Sequence, residues 1–159
     1  MEISEIDNIQ KEELKGFKKK MESSENLSNL LSEEEMDRLF IKHIRTYNDA
    51  CSVLHRQPCD PKRMGRLGFS KREIALHKLS EIVVALNGGK NIKVLNKERK
   101  NWYPKFRFAK NGSLLIFSHS ECDSEGISLG NSALFTLKSK ELSDYCGNHF
   151  IKLWREVIL

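Results

Sequence analysis

The spacing of the apolar residues changes from helical to strand-like at Trp102, and this change limits the folds that the chain can adopt. Between Ile74 and Leu86 the apolar residues recur at helical spacing, whereas from Trp102 to Phe108 every second residue is apolar. The first pattern is typical of an α-helix with a buried face, and the second of a half-buried β-strand. The chain therefore combines helices with a sheet.

Local signals mark both ends of the helix that precedes the change. Ser70 followed by Glu73 is a capping box, in which each side chain can satisfy a free backbone N–H of the first turn. Asn87-Gly88-Gly89 supplies residues that accept the left-handed conformation common at helix ends. A helix is therefore predicted over 70–87.

Three further start signals of this kind are present, each a Ser or Thr followed by an acid two or three residues later. They predict helices that begin after Ser32, Thr46 and Ser139, the last of them running over 139–157. Two prolines and two glycines fall between the second and third helices and predict a loop over 55–69. Loops that long are uncommon unless they are functional or poorly ordered.

Three strands are predicted after the central helix. The first covers 102–108 and the second 113–119, and Asn111-Gly112 between them is a strong hairpin signal. The third covers 133–138, and the three form an antiparallel meander packed on the two long helices. The aromatic residues of this part of the chain predict a core made of Trp102, Phe106, Phe108, Phe135, Phe150 and Trp154.

The fold class that follows is α+β, with N-terminal helices, a three-stranded antiparallel meander and a closing C-terminal helix. We assign this single domain to residues 32–159. Residues 1–31 are polar and form a predicted helical or flexible lead segment, separable from the domain.

The formal net charge of +5 conceals an asymmetry along the chain. Residues 1–36 carry a net charge of −5, and residues 37–159 carry +10. Within the second part, residues 56–110 hold fifteen basic side chains against four acidic ones. Such a field attracts polyanions and repels cationic partners, although a solvated basic face that keeps a protein soluble has the same composition.

Cysteine usage and the N-terminus indicate a reduced, cytoplasmic setting. The four cysteines include no C-x-x-C pair, the first residues are acidic without an apolar stretch, and no run approaches the length of a membrane span. Free thiols are expected in that compartment. The sequence also lacks a glycine-rich phosphate loop and the G-x-G-x-x-G pattern, which disfavours an ATPase or a dinucleotide enzyme.

Short motifs follow one another in a defined order from residue 46 to the end: Thr46-Tyr47, Asp49-Ala50-Cys51, Lys78-Leu79, Ile82-Val83, Ala85-Leu86-Asn87, Gly89, Trp102-Tyr103-Pro104, Phe106, Gly130, Phe135, Lys138-Ser139, Glu141-Leu142, Tyr145, Gly147 and Phe150. In this order and spacing they resemble a family of small uncharacterised proteins encoded by phages and prophages of gut Bacteroidetes. The chain departs from that family between 109 and 129, where such proteins share a glycine- and aromatic-rich insertion. The resemblance implies a fold and a viral or prophage setting, and it carries over no catalytic residues.

Two groups of residues could in principle hold a metal ion. Thiolates and imidazoles are zinc ligands, and a set with suitable residue types is Cys51, His55, Cys59, His119 and Cys122. A free cysteine on an apolar-patterned helix is more often a small core residue. Carboxylates at alternate positions suit calcium but also a solvated loop, and here they are Glu121, Asp123 and Glu125. We predict no metal site and no cofactor.

Cys146 with His149 is the one pairing that suggests a cysteine nucleophile. Both residues fall within the closing helix and point to neighbouring faces, and no oxyanion-binding device accompanies them. No convergent set of acid, base and nucleophile is visible elsewhere, so we predict no catalytic residues and no enzymatic activity.

Basic residues interleaved with aromatics around the first strand are the strongest binding signal. Stacking on aromatic rings together with phosphate contacts is how sheet surfaces hold single-stranded nucleic acids. Strand alternation offers another interpretation, with Trp102 and Phe106 in the core and the cations in water. The candidate nucleic-acid-binding residues are Lys97, Arg99, Lys100, Lys105, Arg107 and Lys110.

Two functions of different class follow. The first is a non-catalytic phage or prophage accessory or structural protein that acts through contacts with a phage or host protein. The alternative is a basic, sequence-tolerant nucleic-acid-binding module. No membrane partner is expected, and the predicted location is the cytoplasm of the bacterial host or the virion.

Overall fold

Helices and strands follow one another in the order expected of an α+β protein. The computed structural model describes residues 16, 31–89, 100–110, 112, 114–123 and 135–159. All but two residues of the lead segment 1–31 lie outside these ranges, so its separability stays a prediction. The described elements are α1 (Glu33–His43), α2 (Tyr47–Val53), α3 (Pro61–Arg66), α4 (Lys71–Leu86), β1 (Asn101–Phe108), β2 (Leu115–Asp123), α5 (Lys140–His149) and α6 (Ile151–Ile158).

The predicted capping boxes are present at three helix starts. At α4 the Ser70 hydroxyl accepts from the Glu73 N–H at 3.2 Å, and the Glu73 carboxylate accepts from the Ser70 N–H at 2.8 Å. The backbone N–H of Ser70 lowers the pKa of the Glu73 carboxyl. The same reciprocal bonds start α1 at Ser32 and α2 at Thr46. These helix starts are therefore set by local hydrogen bonds.

The prediction of a loop over 55–69 is wrong in its middle, because α3 lies there. Asp60 is its N-cap, and one carboxylate oxygen accepts from the Lys62 N–H at 2.9 Å. Pro61 occupies the first helical position, where its missing N–H leaves no bond unmade. Proline, which suggested a loop, here begins a helix.

The β1–β2 hairpin is antiparallel, as predicted, and carries one bulge. The hairpin turn is closed by the Ala109 N–H, which donates to the Leu114 carbonyl at 2.8 Å. Between Lys105 and Phe106 the register shifts, so that Ser118 is an extra residue in β2. Phe117 consequently lies opposite Phe106. The bulge keeps apolar residues of β2 on the same face as those of β1.

The predicted third strand over 133–138 is not present among the described residues. Of the described residues 135–138, Leu137 alone pairs with the sheet, in one antiparallel bridge to Trp102 with N···O distances of 2.9 and 2.7 Å. The bridge lies on the edge of β1 away from β2, so β1 lies between Leu137 and β2. In a meander the third segment would pair with β2 instead. The peptide groups on either side of Leu137 bond Asn87 instead: the Thr136 carbonyl accepts from its amide at 2.9 Å, and the Lys138 N–H donates to it at 3.1 Å.

The closing helix predicted over 139–157 is divided into α5 and α6. The division falls at Phe150, whose backbone has φ −97° and ψ 23°. The Trp154 indole N–H donates to the Cys146 carbonyl at 3.2 Å. That bond ties the second helix to the last turn of the first, so the two act as one bent layer.

The core lies between the helices and the sheet and agrees in part with the predicted aromatic set. Phe135, Phe150 and Trp154 are buried, and Phe106 packs on Trp154 with ring centroids 5.0 Å apart. Trp102 is half-buried. The aliphatic part of the core consists of Ile44, Ala50, Val53, Ala75, Leu79, Ile82, Val83, Ala85, Leu86, Leu137, Leu142 and Val157.

Phe108 does not belong to this core, contrary to the prediction. Its side chain is 53% exposed. Phe108 is the last residue of β1, next to the hairpin turn, where the helices leave half of the side chain uncovered. Period-two alternation identifies the face of a strand but not where along that face the covering layer ends.

The helix α5 approaches the sheet closely because one of its residues is Gly147. A methyl group placed there would overlap the Phe117 ring, with Cε2 at 2.6 Å, and would lie 2.9 Å from Cβ of Pro104. One turn earlier, the buried Ser143 hydroxyl accepts a hydrogen bond of 2.8 Å from Ser120 of β2. Small residues on α5 therefore fix its distance from both strands.

We expect Gly147→Ala to lower the free energy of unfolding by about 1–3 kcal/mol, because the added methyl group overpacks this contact. Alanine is intrinsically more favourable than glycine in a helix by about 1 kcal/mol. A loss of stability in the alanine variant would therefore show that the overpacking outweighs this gain. Gly65→Ala in α3 is the matched control, since a methyl group there meets nothing within 4 Å. Urea denaturation measures both. A Gly147→Ala protein as stable as the Gly65→Ala protein would contradict the close approach.

Two phenylalanines of β1, Phe106 and Phe108, differ in how far the core covers them. Phe106→Ala is expected to cost about 2–3 kcal/mol, somewhat less than a fully buried phenylalanine, because Phe106 is half-buried against Trp154. Phe108→Ala should change stability by no more than about 0.5 kcal/mol. Thermal and urea unfolding of the two variants provide the comparison, and equal losses would show that the two side chains are equally covered.

Candidate binding surfaces

The outer face of the sheet carries a polar cluster centred on Glu121. Its carboxylate lies 3.1 Å from the Lys105 ammonium, 3.1 Å from the Tyr103 hydroxyl and 3.2 Å from His119 Nε2. The hydrogen bond from Lys105 is the largest cause of the lowered pKa of this carboxyl. Lys105 also lies over the Tyr103 ring, 5.2 Å from its centroid. The positive charge of Lys105 is therefore partly compensated within the sheet.

The candidate nucleic-acid residues fall into two groups. Lys97 and Arg99 lie outside the described residues. Lys100, Arg107 and Lys110 are exposed at the two ends of β1. Arg107 shares the outer face with Lys105, because residues two apart in a strand point to the same side.

Two of the three aromatic residues that suggested a stacking surface lie on the opposite face of β1 from Lys105 and Arg107. Trp102 and Phe106 occupy alternate positions of β1 that face the helices, and Phe106 contacts Trp154. Tyr103 is the aromatic residue of β1 that shares the face of Lys105, and its hydroxyl is bound to Glu121. The arrangement favours strand alternation over a stacking platform as the origin of the basic-aromatic pattern.

A hydrogen-bonded chain that the sequence did not suggest runs along β2 on this outer face. His119 Nδ1 lies 3.0 Å from the Ser118 hydroxyl, and Nε2 lies 3.2 Å from Glu121. The bulge produces it, because the extra residue Ser118 brings its hydroxyl beside the neighbouring imidazole. The cluster is open to solvent, and its evident effect is to orient His119.

The structure brings the candidate ligands Cys51 and Cys59 together at the Tyr47 hydroxyl, without a third candidate among the described residues. In the ranges that the structure covers, no group of three or more His, Cys, Asp or Glu side chains could hold a metal ion. His119 pairs with Lys105 and Cys122 with Trp102, so the two point to opposite faces of β2. Of the acidic set, Glu121 is engaged as described, whereas Glu125 and the side chain of Asp123 lie outside the described residues.

Cys146 and His149 do not form a catalytic pair. Cys146 is fully buried, and burial raises the pKa of its thiol to about 12. His149 lies on the surface, where Nε2 donates to the Arg45 carbonyl at 2.7 Å and the ring stacks on Tyr145. The imidazole thus joins α5 to the segment between α1 and α2.

Thiol accessibility should reflect this burial. We expect Cys146 to resist iodoacetamide at pH 8, because a thiol with a pKa of about 12 is almost wholly protonated and is shielded from solvent. Cys59, which is partly exposed, should be alkylated before Cys146. Peptide mass spectrometry after timed quenching gives both rates. Alkylation of Cys146 at the rate of Cys59 in the folded protein would reopen the nucleophile interpretation.

The most exposed part of the described chain is the segment 60–73, here called the exposed basic segment. It holds five basic and two acidic side chains, for a net charge of +3. α3 buries none of its residues. In the turn that follows, Leu67 is 69% exposed and Phe69 is 46% exposed. Apolar anchors and cations are therefore presented together.

Local bonds hold the exposed basic segment in shape. The Phe69 N–H donates to the Met64 carbonyl at 3.1 Å, and Gly68 takes the left-handed conformation with φ 94°. At the base of the segment, Arg56 binds both carboxylate oxygens of Glu81 at 2.6 and 2.7 Å. Residues 60–73 lie within the basic region of the sequence. Because the sequence predicts a loop over 55–69, it did not indicate that a helix and a turn hold these side chains in place.

A pocket of about 320 Å³ lies beside the start of α4. Its wall is mostly apolar and is formed by β1, α6 and the segment before α5. Arg72, the second residue of α4, is the charged residue of the lining. The residues that line the pocket are Arg72, Tyr103, Pro104, Phe135, Trp154, Val157 and Ile158.

None of the helices in the described ranges combines the length and the apolar character needed to cross a membrane. Comparison with other proteins adds no further assignment: no protein-family model, curated protein or solved structure gives a significant match to this chain.

Proposed function

We propose that the protein is a non-catalytic accessory or structural protein of a phage or prophage, acting through protein–protein contacts in the host cytoplasm or the virion. The observation that supports this function is the exposed basic segment. Its helix contributes nothing to the core, yet its turn holds Leu67 and Phe69 in solvent. Exposing such side chains costs solubility, which a binding role would explain.

The chemistry of the segment suits an acidic protein partner that offers an apolar pocket. Phenylalanine and leucine side chains can fill such a pocket, and arginine is enriched at the energetic centres of protein interfaces. The acids within the segment, Asp60 and Glu73, are engaged as helix caps. The cations available to a partner are Lys62, Arg63, Arg66, Lys71 and Arg72.

Two observations favour a protein partner over a nucleic acid. Leucine has no π-face on which a base could stack, so Leu67 adds little to single-strand binding. On the sheet, the carboxylate of Glu121 competes with phosphate for Lys105. A non-catalytic role is supported by the buried thiol of Cys146 and by the engagement of His149 with a backbone carbonyl.

The proposal can be tested with a photo-crosslinking residue, p-benzoylphenylalanine, placed at position 67 in the protein expressed in its host. The matched control is position 159, where the native leucine is 71% exposed against 69% for Leu67. We expect one defined protein to be crosslinked from position 67 and not from position 159. The same products from both positions would indicate contact by exposure alone and would contradict the proposal.

A charge-reversal variant then tests the contribution of the cations. In a binding assay with the crosslinked partner in purified form, Lys62→Glu combined with Arg63→Glu and Arg66→Glu should weaken binding at least about tenfold. Arg38→Glu combined with Lys152→Glu, at exposed positions on α1 and α6, should leave the affinity within about twofold. Equal losses in both variants would mean that overall charge, not the segment, governs binding.

The nucleic-acid alternative rests on the exposed cations of β1 and is distinguished in the same set of experiments. Titration with single- and double-stranded DNA and RNA would then show affinity that falls steeply with salt, because phosphate contacts release counterions. Lys105→Glu combined with Arg107→Glu would weaken that binding. No detectable binding below about 100 μM at low salt would leave the protein-contact function in place.

A further inference from the structure

The pocket beside Arg72 exists because the sheet ends early on one side. Leu137 pairs with Trp102, and the carbonyl of the preceding residue, Thr136, bonds Asn87, so Thr136 and Phe135 do not extend the pairing along β1 toward Pro104. The next β1 residue on this edge is Pro104, which has no N–H to offer a pairing strand. The space beside Pro104 is therefore left as a pocket, closed on its far side by α6.

The walls of the pocket are apolar and aromatic. Phe135 and Trp154 contribute their rings, 4.9 Å apart between centroids, and Val157 with Ile158 contributes the aliphatic part from α6. A volume of about 320 Å³ lies at the lower end of the range of small-molecule sites, roughly 300–1,000 Å³. An apolar body of modest size would cover part of its apolar surface against this wall.

The charge of the pocket is of one sign. Arg72 lines it, and among the described residues no acidic side chain belongs to the lining. No ion pair joins Arg72 to any residue in the part of the chain that the structure describes. A guanidinium beside an apolar wall complements a ligand that carries one carboxylate on an apolar body, since arginine binds carboxylates through two parallel hydrogen bonds.

We infer that this pocket binds a small apolar monocarboxylate, such as a medium-chain fatty acid, with its hydrocarbon part against Trp154 and its carboxylate on Arg72. The inference can fail separately from the proposed protein contacts, because the charge-reversal variant that tests those contacts leaves Arg72 intact. The ligand inferred for the pocket is a small molecule and is distinct from the protein partner proposed for the exposed basic segment.

Decanoate is the probe, and the indole N–H signal of Trp154 in ¹⁵N-correlated NMR spectra of the full chain is the readout. That N–H is a single reporter in the pocket wall, bonded to the Cys146 carbonyl, and the Trp102→Phe variant assigns it. We expect a saturable shift with a Kd of roughly 0.1–1 mM, as expected for a ligand of this size. Decanol and decyltrimethylammonium should bind at least about tenfold more weakly.

The variants isolate the role of the cation. Arg72→Gln should weaken decanoate binding about tenfold, whereas Lys71→Gln, at the neighbouring exposed cation that does not line the pocket, should leave it within about twofold. The backbone spectra of both variants report whether the fold is kept. Three results would overturn the inference: no Trp154 shift up to about 10 mM decanoate, equal binding of decanol and decanoate, or equal effects of the two variants.

Discussion

The buried side-chain amide of Asn87 joins the helical half of this fold to the sheet. It ends α4 and bonds the peptide groups on both sides of Leu137. Leu137 is thereby held in the core and in its bridge to Trp102. A buried amide that satisfies two backbone groups at once is costly to replace, because any apolar residue would leave both unpaired.

The position set by Asn87 extends to the first helix. The ammonium of Lys138, the next residue along, lies 2.6 Å from the buried Asp37 carboxylate of α1 and 5.3 Å from the centroid of the Phe40 ring. A buried carboxylate without its cation is strongly destabilising. The packing of α1 on the rest of the protein therefore depends in part on Lys138, in the short segment that Asn87 holds.

Two strands alone make a marginal sheet, and here the helix α5 supplies the missing layer. The absence of a side chain at Gly147 permits the close approach to Phe117, and the bulge at Ser118 turns Phe117 toward that helix. The same bulge brings the Ser118 hydroxyl to His119 on the opposite face. One irregularity thus shapes both the packed and the solvent-facing sides of the sheet.

The two candidate binding features, the exposed basic segment and the pocket beside Arg72, lie at the edge of the core. The exposed basic segment is inserted between α2 and α4 and contributes no buried side chain from its own helix, so its surface is free to serve a partner. The pocket lies where the bridge of Leu137 ends and Pro104 leaves an unpaired edge. Both features are by-products of how the core is built, and Arg72 belongs to both.

Several parts of the fold could be predicted from the sequence because their causes are local. The helix starts at Ser32, Thr46 and Ser70 depend on bonds between residues three apart. The hairpin after Phe108 depends on a turn signal within a few residues. The α+β class followed from these elements and from the change in apolar spacing.

The candidate binding surfaces were less predictable, because the order of charged residues along the chain does not show which of them lie on the same face of the folded protein. Lys105 and Arg107 were correctly placed on the solvent face by strand alternation, but the compensation of Lys105 by Glu121 comes from the other strand. The pocket around Arg72 combines residues from four parts of the chain. No local pattern could have indicated it.

By itself, then, the sequence determined where four of the described helices begin, after Ser32, Thr46, Ser70 and Ser139, where the hairpin turns and which residues of β1 alternate between faces. These features depend on hydrogen bonds and sterics within a few residues. Only the tertiary structure decided that Leu137 would form one bridge and not a strand, because its neighbours bond Asn87, about fifty residues earlier in the chain. It also decided that Phe108 would stay exposed, because coverage of a strand depends on the reach of helices packed against it. Competition between distant partners for the same backbone group is resolved only when the chain is folded.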